Sequence, residues 1–542
     1  MSIQDRIAEA LASKLVELGA EVTSDQVSIS IPPVKEHGDF STNVAMRFAK
    51  KLRYKPLDLA QKLAAETPIE GVSRIEAVAP GFLNFFISQE DMASVIAKVL
   101  EERESYGDEE SNGISVNLEY VSANPTGYLH LGHARGAAVG DSLSRILKKA
   151  GYTVTREYYI NDAGNQVDHM AESLIARYLQ RLGHSDVDVP DDGYHGKDIE
   201  DIADDLIKEF GKRYEDDPES HLSLFREYGI KKLLGKIRSD LKRFGVEFDV
   251  FTSEREIRNS GKVERVLEKL RKGTYQQDGA LFLRTTQNGD DKDRCIVKSD
   301  GSYTYFLPDI AYHADKFERG FDRLIDIFGA DHAGYVCRLK SGVKALGYNP
   351  GRLTVSLVQI VRLFRGGEEY KMSKRTGNAV SMNELLDEVG VDAVRYFFVS
   401  RAGDSHLDFD LDLASSLSAS NPVYYAQYTH ARLCSALERG KDYSKEEFAS
   451  SRLTEDSELA IMKSMRDFPS RVKEAAETLQ PYKVCLFVQN FCTLVNEWYQ
   501  SERIVNPSDR ELTAARLALA EASRMVIAVA LNLIGVSAPE RM

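Results

Sequence analysis

Residues 114–151 read as strand, turn and helix in immediate succession. ISVNLEYVS (114–122) alternates apolar and polar side chains, the period of a strand with two unlike faces. NPTG (124–127) is made of turn residues. HLGHARGAAVGDSLSRILKKAG (130–151) has helical spacing and ends on two lysines and a glycine, which suit a helix C-terminus. A strand feeding a helix through a short Gly/Pro turn opens a βαβ unit, so the spacing predicts an α/β fold with a doubly wound, Rossmann-like parallel sheet.

The rest of the chain is arranged around that unit. A length of 542 residues suits about three or four domains. Residues 1–110 carry an amphipathic helix (1–18), the alternating strand VSISIPPV (27–34), a helix at 41–53 and the strand GFLNFFIS (81–88), predicting an N-terminal α+β domain. The charged, Gly-containing stretch 101–113 marks a boundary. The α/β domain is expected over 114–380, with a charged helical insertion at about 165–260. Strand signals return at 280–286, 294–299, 321–329 and 353–365. Beyond 381 no strand signal survives: a stem is expected over 381–410 and an all-α bundle over 411–542.

Composition narrows the function classes. Hydrophobic residues make up 43% and charged residues 28%, which excludes wholesale disorder. The net charge of −14 excludes a diffuse polyanion binder, so any nucleic-acid surface must be a local patch. Five cysteines (295, 337, 434, 485, 492) without a Cys-x-x-Cys pair fit neither a disulfide framework nor a zinc finger, and suggest a reducing cytosol. The N-terminus does not read as a signal peptide. The apolar run MVIAVALNLIG (525–535) is too short to span a bilayer and is expected to be a packed core helix.

Two short elements carry the chemistry. His130-Leu131-Gly132-His133 falls at the helix start, where unpaired N–H groups and a partial positive charge favour phosphate. His130 and His133 can donate to phosphate oxygens, and Gly132 lets a ligand approach the backbone. Lys371-Met372-Ser373-Lys374 follows a strand and a Gly-Gly turn. Its ammonium groups could close over a triphosphate and neutralise the charge that develops as pyrophosphate leaves, while Met372 anchors the loop. Taken singly, these would read as capping histidines and a solvated basic turn.

With these elements the chain resembles the class I aminoacyl-tRNA synthetases, and within them the arginyl type of bacteria. The matching pieces are EYVSANPTGYLHLGHARGAAVGD (119–141), YYINDAGNQ (158–166), YTYFLPDIAYH (303–313), FGADHAGY (328–335), KMSKRTGN (371–378), DAVRYFF (392–398) and NPVYYAQYTHAR (421–432). The resemblance implies ATP with Mg2+, L-arginine and tRNA(Arg) as substrates, without structural zinc.

It also implies roles for individual residues. Tyr305 and Asp309, four apart and so on one helical face, would hold the guanidinium, which needs planar carboxylate acceptors. Glu119 and Asn124 would bind the substrate's charged groups, and Asp331 and His332 the ribose or aminoacyl moiety. Taken by itself, Asp309 could equally be a helix cap after Pro308. Tyr424, Tyr425, Tyr428 and Arg432 would contact anticodon bases by stacking and hydrogen bonding, although tyrosines at this spacing usually belong to a core. His195 and His313 read as surface histidines. HGDFSTNVAM (37–46) resembles the part that touches the tRNA corner, and Ser381-Met-Asn-Glu384 is a capping box opening the stem. The stretch from His133 to Lys371, less the insertion, leaves no room for a large editing domain. A glutamyl or glutaminyl enzyme would need a cationic side-chain pocket, and a non-catalytic tRNA-binding paralogue would not need both signatures. The absence of an apolar surface stripe suggests a monomer.

Overall fold

The computed structural model describes residues 3–32, 34–370, 380–443 and 448–542. The chain begins with α1 (Ile3–Glu17), which buries Ile3, Ile7, Leu11 and Leu15 along one stripe. It continues through β1 (Phe40–Thr42), α2 (Val44–Phe48), α3 (Pro56–Glu66), β2 (Val72–Val78), β3 (Phe82–Ile87) and α4 (Gln89–Glu102). The three strands form an antiparallel sheet in the order β1-β3-β2. VSISIPPV does not form the expected strand. Among the described residues its pairing is an isolated bridge, Ser30 to Ser41, and the Pro-Pro pair that follows brings no N–H donors. The helix expected at 41–53 is shortened because Phe40–Thr42 pair with β3 instead.

The central unit contains β4 (Ser115–Glu119), α5 (Leu131–Lys149), β5 (Thr153–Ile160), α6 (Asn165–Leu182), α7 (Lys197–Phe210), α8 (Leu222–Arg243) and β6 (Val250–Ser253). It goes on through α9 (Glu254–Asn259), α10 (Lys262–Leu270), β7 (Thr274–Gln277), β8 (Ala280–Leu283), β9 (Arg294–Val297), α11 (Phe306–Glu318), β10 (Arg323–Gly329), α12 (Tyr335–Ala345) and β11 (Leu353–Val358). Five strands form one parallel sheet in the order β11-β10-β4-β5-β6. The chain therefore winds from β4 to one side and returns to the other, leaving a crevice at the carboxyl ends of β4 and β10 where such sheets bind ligands.

The insertion is helical as expected, and α6, α7 and α8 enclose their own apolar cluster around Met170, Leu174, Ile199, Leu206 and Phe225. Its last part differs from the expectation, because Val250–Ser253 return as the edge strand β6. The segments at 280–286 and 294–299 do form strands, but in a separate antiparallel sheet with β7. A tight turn at Asp278-Gly279, both with positive φ (51° and 78°), joins β7 to β8, the geometry of a two-residue hairpin.

Beyond the sheet lie β12 (Val361–Arg365), β13 (Glu368–Tyr370), α13 (Met382–Val389), α14 (Val391–Val399), β14 (Leu407–Asp410) and α15 (Leu411–Ser415). The run 353–365 is thus two strands, not one. The expectation of no strand beyond 381 is corrected by β14, which pairs in parallel with β12 from Val361–Leu407 to Phe364–Asp410. LDFD is short and half charged, so it has no local apolar pattern to announce it. The bundle comprises α16 (Pro422–Arg439), α17 (Asp456–Glu477), α18 (Tyr482–Ser501) and α19 (Arg510–Leu533). The apolar run 525–535 is the buried end of α19, and among the described residues no helix is long and apolar enough to cross a membrane. The N-terminal unit meets the bundle directly: the Tyr106 hydroxyl donates to the Met465 carbonyl at 2.8 Å, and Gln89 to that of Leu453 at 2.8 Å.

Candidate active site

Three buried carboxylates stand side by side across the sheet, because register places Glu119 of β4 opposite both Asp326 of β10 and Glu157 of β5. Like charges at this spacing repel, and helix α11 supplies the compensation. Lys316, fully buried, donates from Nζ to Asp326 at 2.8 Å and also to Glu119. Arg319 donates to Glu157 at 2.7 Å, and Glu157 also accepts from Thr252 at 2.6 Å and Asn117 at 2.5 Å. Burial opposes the ammonium of Lys316, yet Asp326, Glu119 and Glu157 together hold its pKa above the usual lysine value. Burial likewise opposes ionised Asp326, which Lys316 and His313 keep well below the ordinary carboxylate range.

His313, expected at the surface, is instead 3% exposed. Its Nε2 lies 2.8 Å from Asp326 and its Nδ1 2.7 Å from the Asp309 carbonyl. Both ring nitrogens face acceptors, so the imidazolium fits. Its pKa is raised: burial works against the charge and Asp326 overcomes it.

Asp309 lies in the first turn of α11 but does not cap it. The N-cap is Tyr305, whose side chain makes no capping bond. The Asp309 carboxylate accepts from the Tyr335 hydroxyl, and among the described residues no lysine or arginine pairs with it. Burial pushes its pKa above the usual carboxylate range. Tyr305 stands one turn earlier, 66% exposed, while Glu119 and Lys316 are buried.

At the other side of the crevice, His130 is the N-cap of α5 and its Nδ1 accepts from the Gly132 N–H at 3.2 Å. His133 Nδ1 accepts from the His130 N–H at 3.4 Å, and the two rings stack with centroids 3.8 Å apart. A Cβ at Gly132 would fall 3.2 Å from the His130 ring. Burial lowers both imidazoles, His133 to about 3 with a further contribution from His130. Asp331, exposed just past β10, bears electrostatically on His130 and sits 3.5 Å from His332. Asn124 donates to Gln166 at the start of α6 at 2.5 Å.

Lys371, Met372, Ser373 and Lys374 lie outside the described residues. The chain that follows them returns to the first signature: Ser381 pairs with His130, and the Met382 N–H donates to the Leu129 carbonyl at 2.8 Å. Ser381 forms the expected capping box, receiving the Glu384 N–H at 3.2 Å while Glu384 accepts the Ser381 N–H at 3.0 Å.

The residues expected to meet RNA share α16 but not one environment. Tyr424 and Tyr428 stack at 5.9 Å with Tyr428 exposed. Tyr425 packs against the core, and the Arg432 guanidinium lies 3.9 Å from the Tyr499 ring centre and bonds Asn496. Sequence reasoning missed Lys316, Asp326, Glu157 and Tyr335. Lys316 left a trace: it falls seven residues after Asp309, on the same helical face. Among the described residues no group of three or more His, Cys, Asp or Glu side chains is arranged to hold a metal ion.

Three family models match the chain. They are the arginyl tRNA synthetase N terminal domain over residues 1–87, the catalytic domain of tRNA synthetases class I (R) over 95–432, and the DALR anticodon binding domain over 426–542. The chain is 47% identical to the arginine–tRNA ligase of Bacillus licheniformis, with 100% of each chain covered. Among solved structures it is similar to a Campylobacter jejuni chain crystallised as a candidate arginyl t-RNA synthetase. That match has a TM-score of 0.80 and 32% identity, over 84% of this chain and 100% of that one. It shares its fold with the Thermus thermophilus arginyl-tRNA synthetase at a TM-score of 0.76 and 22% identity, over 99% of each chain. By sequence along its whole length and by fold, the chain belongs to the arginine–tRNA ligases, class I synthetases that join arginine to tRNA at the expense of ATP.

Proposed function

We propose that Asp309 and Tyr305 receive the substrate guanidinium, that Glu119 and Asn124 orient its amino and carboxylate groups, and that the two signature stretches hold ATP. The observation that carries this reading is Asp309, a half-buried carboxylate with a hydroxyl partner and no lysine or arginine ion-paired with it among the described residues. An arriving guanidinium supplies the missing charge and a planar fork to match the carboxylate. Glu119 is already shared with Lys316, so it serves as an orienting acceptor rather than the main counter-charge.

In this reading ATP enters as its Mg2+ complex, as substrate. An arginine carboxylate oxygen attacks the α-phosphorus, a P–O bond forms, and the bond to the β-phosphate oxygen breaks to release pyrophosphate. A hydroxyl of the terminal tRNA ribose then attacks the arginyl carbonyl carbon and AMP leaves. His130 and His133, kept neutral by burial, donate N–H groups to phosphate without adding charge. Lys371, Ser373 and Lys374 stabilise the departing pyrophosphate, with Met372 as their anchor. Asp331 and His332 border the ribose. No protein nucleophile is needed, and positioning with electrostatics supplies the rate.

Residues 1–110 are assigned to the tRNA corner, 114–380 to catalysis, 381–410 to the stem and 411–542 to the anticodon. Tyr424, Tyr428 and Arg432 offer the polar and aromatic contacts on α16, with Tyr425 supporting them from the core. The working unit is a cytoplasmic monomer. The test is charging of tRNA(Arg) by the purified chain with arginine or citrulline, its neutral isostere. Arginine should be charged, and citrulline should be poorer in kcat/KM by about 10⁴, since a site built for a charged fork is left unpaired by the neutral analogue. Citrulline used within tenfold of arginine would refute recognition by charge.

A further inference from the structure

Arg395 is fully buried on α14, and each part of its guanidinium reaches a different segment of the chain. Nη2 donates to Asp141 of α5 at 2.6 Å, Nη1 to the Phe244 carbonyl beyond α8 at 2.9 Å, and Nε to the Ile534 carbonyl at the end of α19 at 3.0 Å. Asp141 also accepts from Arg145 Nε at 2.8 Å. Arg145 in turn reaches Asn532 of α19 at 2.9 Å and the Gly245 carbonyl at 3.3 Å. The guanidinium lies so close to the chain after α19 that a Cβ at Gly535 would fall 2.2 Å from Arg395 Cζ. Gly535 also has φ +67°, so this approach requires glycine twice over.

The tie is reciprocated. Arg135, two residues past His133, is buried and donates to the carbonyls of Ala402 and Ser405 just beyond α14, at 3.1 and 2.8 Å, and to that of Gln359 at 2.9 Å. Helix α14 is thus tied to the signature helix α5 at its middle, through Arg395 and Asp141, and the chain just past its C-terminus is tied to α5 through Arg135. The start of α13 pairs with Leu129 and His130. An apolar junction would hold these elements together at less desolvation cost. What a planar fork adds is direction, fixing three segments in one geometry.

We infer that Arg395 is a positioning residue for aminoacylation: with Asp141 and Arg145 it transmits the placement of the C-terminal bundle on tRNA to α5, and through α5 to His130 and His133. This rests on the proposed assignment of the bundle to the anticodon. A ligand can couple two sites only through an element whose arrangement both bias, and this junction is where α19 and α5 share one guanidinium.

Arg395→Lys keeps a charge for Asp141 but cannot span three partners. The experiment compares kcat/KM for full-length tRNA(Arg) with that for an acceptor-stem minihelix, and measures the Kd of the full-length tRNA. Wild-type protein should prefer the full-length tRNA. In Arg395→Lys that preference should fall about tenfold, within the range of such couplings, while minihelix charging and tRNA Kd stay within twofold. A parallel loss on both substrates, an unchanged preference, or a wild-type preference near one would overturn the inference. Arg145→Gln removes the Asn532 tie at a side chain 35% exposed and leaves Arg395 in place. It must reduce the preference as well, and it decides the matter should Arg395→Lys fail to fold. Failure of the wild type to charge either RNA with arginine would instead refute the functional reading.

Discussion

His133 and His313 belong to one residue type and sit in opposite states because of their partners. The His133 ring accepts a backbone N–H and stacks on a second imidazole, so burial pushes its pKa down to about 3. His313 has a carbonyl on one nitrogen and Asp326 on the other, so its charged form survives burial. In a histidine-resolved NMR titration of the free protein, His133 should stay neutral from pH 8 to 5 and His313 should remain protonated above the ordinary value of about 6.5. The raised His313 pKa contributes stability that is fully present below the unfolded value and is lost as pH rises through the folded one. A His133 signal that titrates near 6.5 would contradict this. The contrast also shows what a sequence conveys at this scale. His130 and His133 were legible because strand, turn and helix place them locally, whereas the state of His313 depends on Asp326, which meets it only through the fold.

At the scale of elements, legibility followed the same division. The segment 114–149 carried its own signals in alternation, turn residues and terminal lysines, and it formed as β4 and α5. The Ser381–Glu384 capping box is local too, and formed. Strands β6 and β14 were missed because each is four residues long and held by a parallel neighbour distant in sequence, so no local period marks them. The hairpin β7–β8 could have been found from Asp278-Gly279, a signal the apolar runs overshadowed. Ser381 is the test at this scale because it both caps α13 and pairs with His130. Ser381→Ala should cost about 1 kcal/mol of stability in denaturant unfolding and raise the KM for ATP, and Ser381→Thr should restore most of both. An unchanged KM for ATP would detach the cap from the nucleotide site.

Across the whole molecule, an acidic chain with a net charge of −14 balances the buried carboxylates Glu119, Asp326 and Glu157 with Lys316, His313 and Arg319, and the proposed reading leaves Asp309 for the substrate. The doubly wound sheet, the helical insertion and the terminal bundle were all legible, since each has a length and period of its own. The compensating layer behind the site was not, because it exists only where strands β4, β5 and β10 come into register under α11. The central claim is that Asp309 is the charge that reads arginine. It is tested most directly by steady-state charging with Asp309→Asn, a near-isosteric change that removes the charge and exchanges one acceptor oxygen for an amide donor. The KM for arginine should rise about 100-fold, as expected for losing charge-assisted hydrogen bonds at a half-buried carboxylate, while ATP binding stays within twofold. In the wild type, kcat/KM for arginine should fall as pH drops through the raised Asp309 pKa, and the variant should lose that limb. An unchanged KM for arginine in Asp309→Asn would contradict the account.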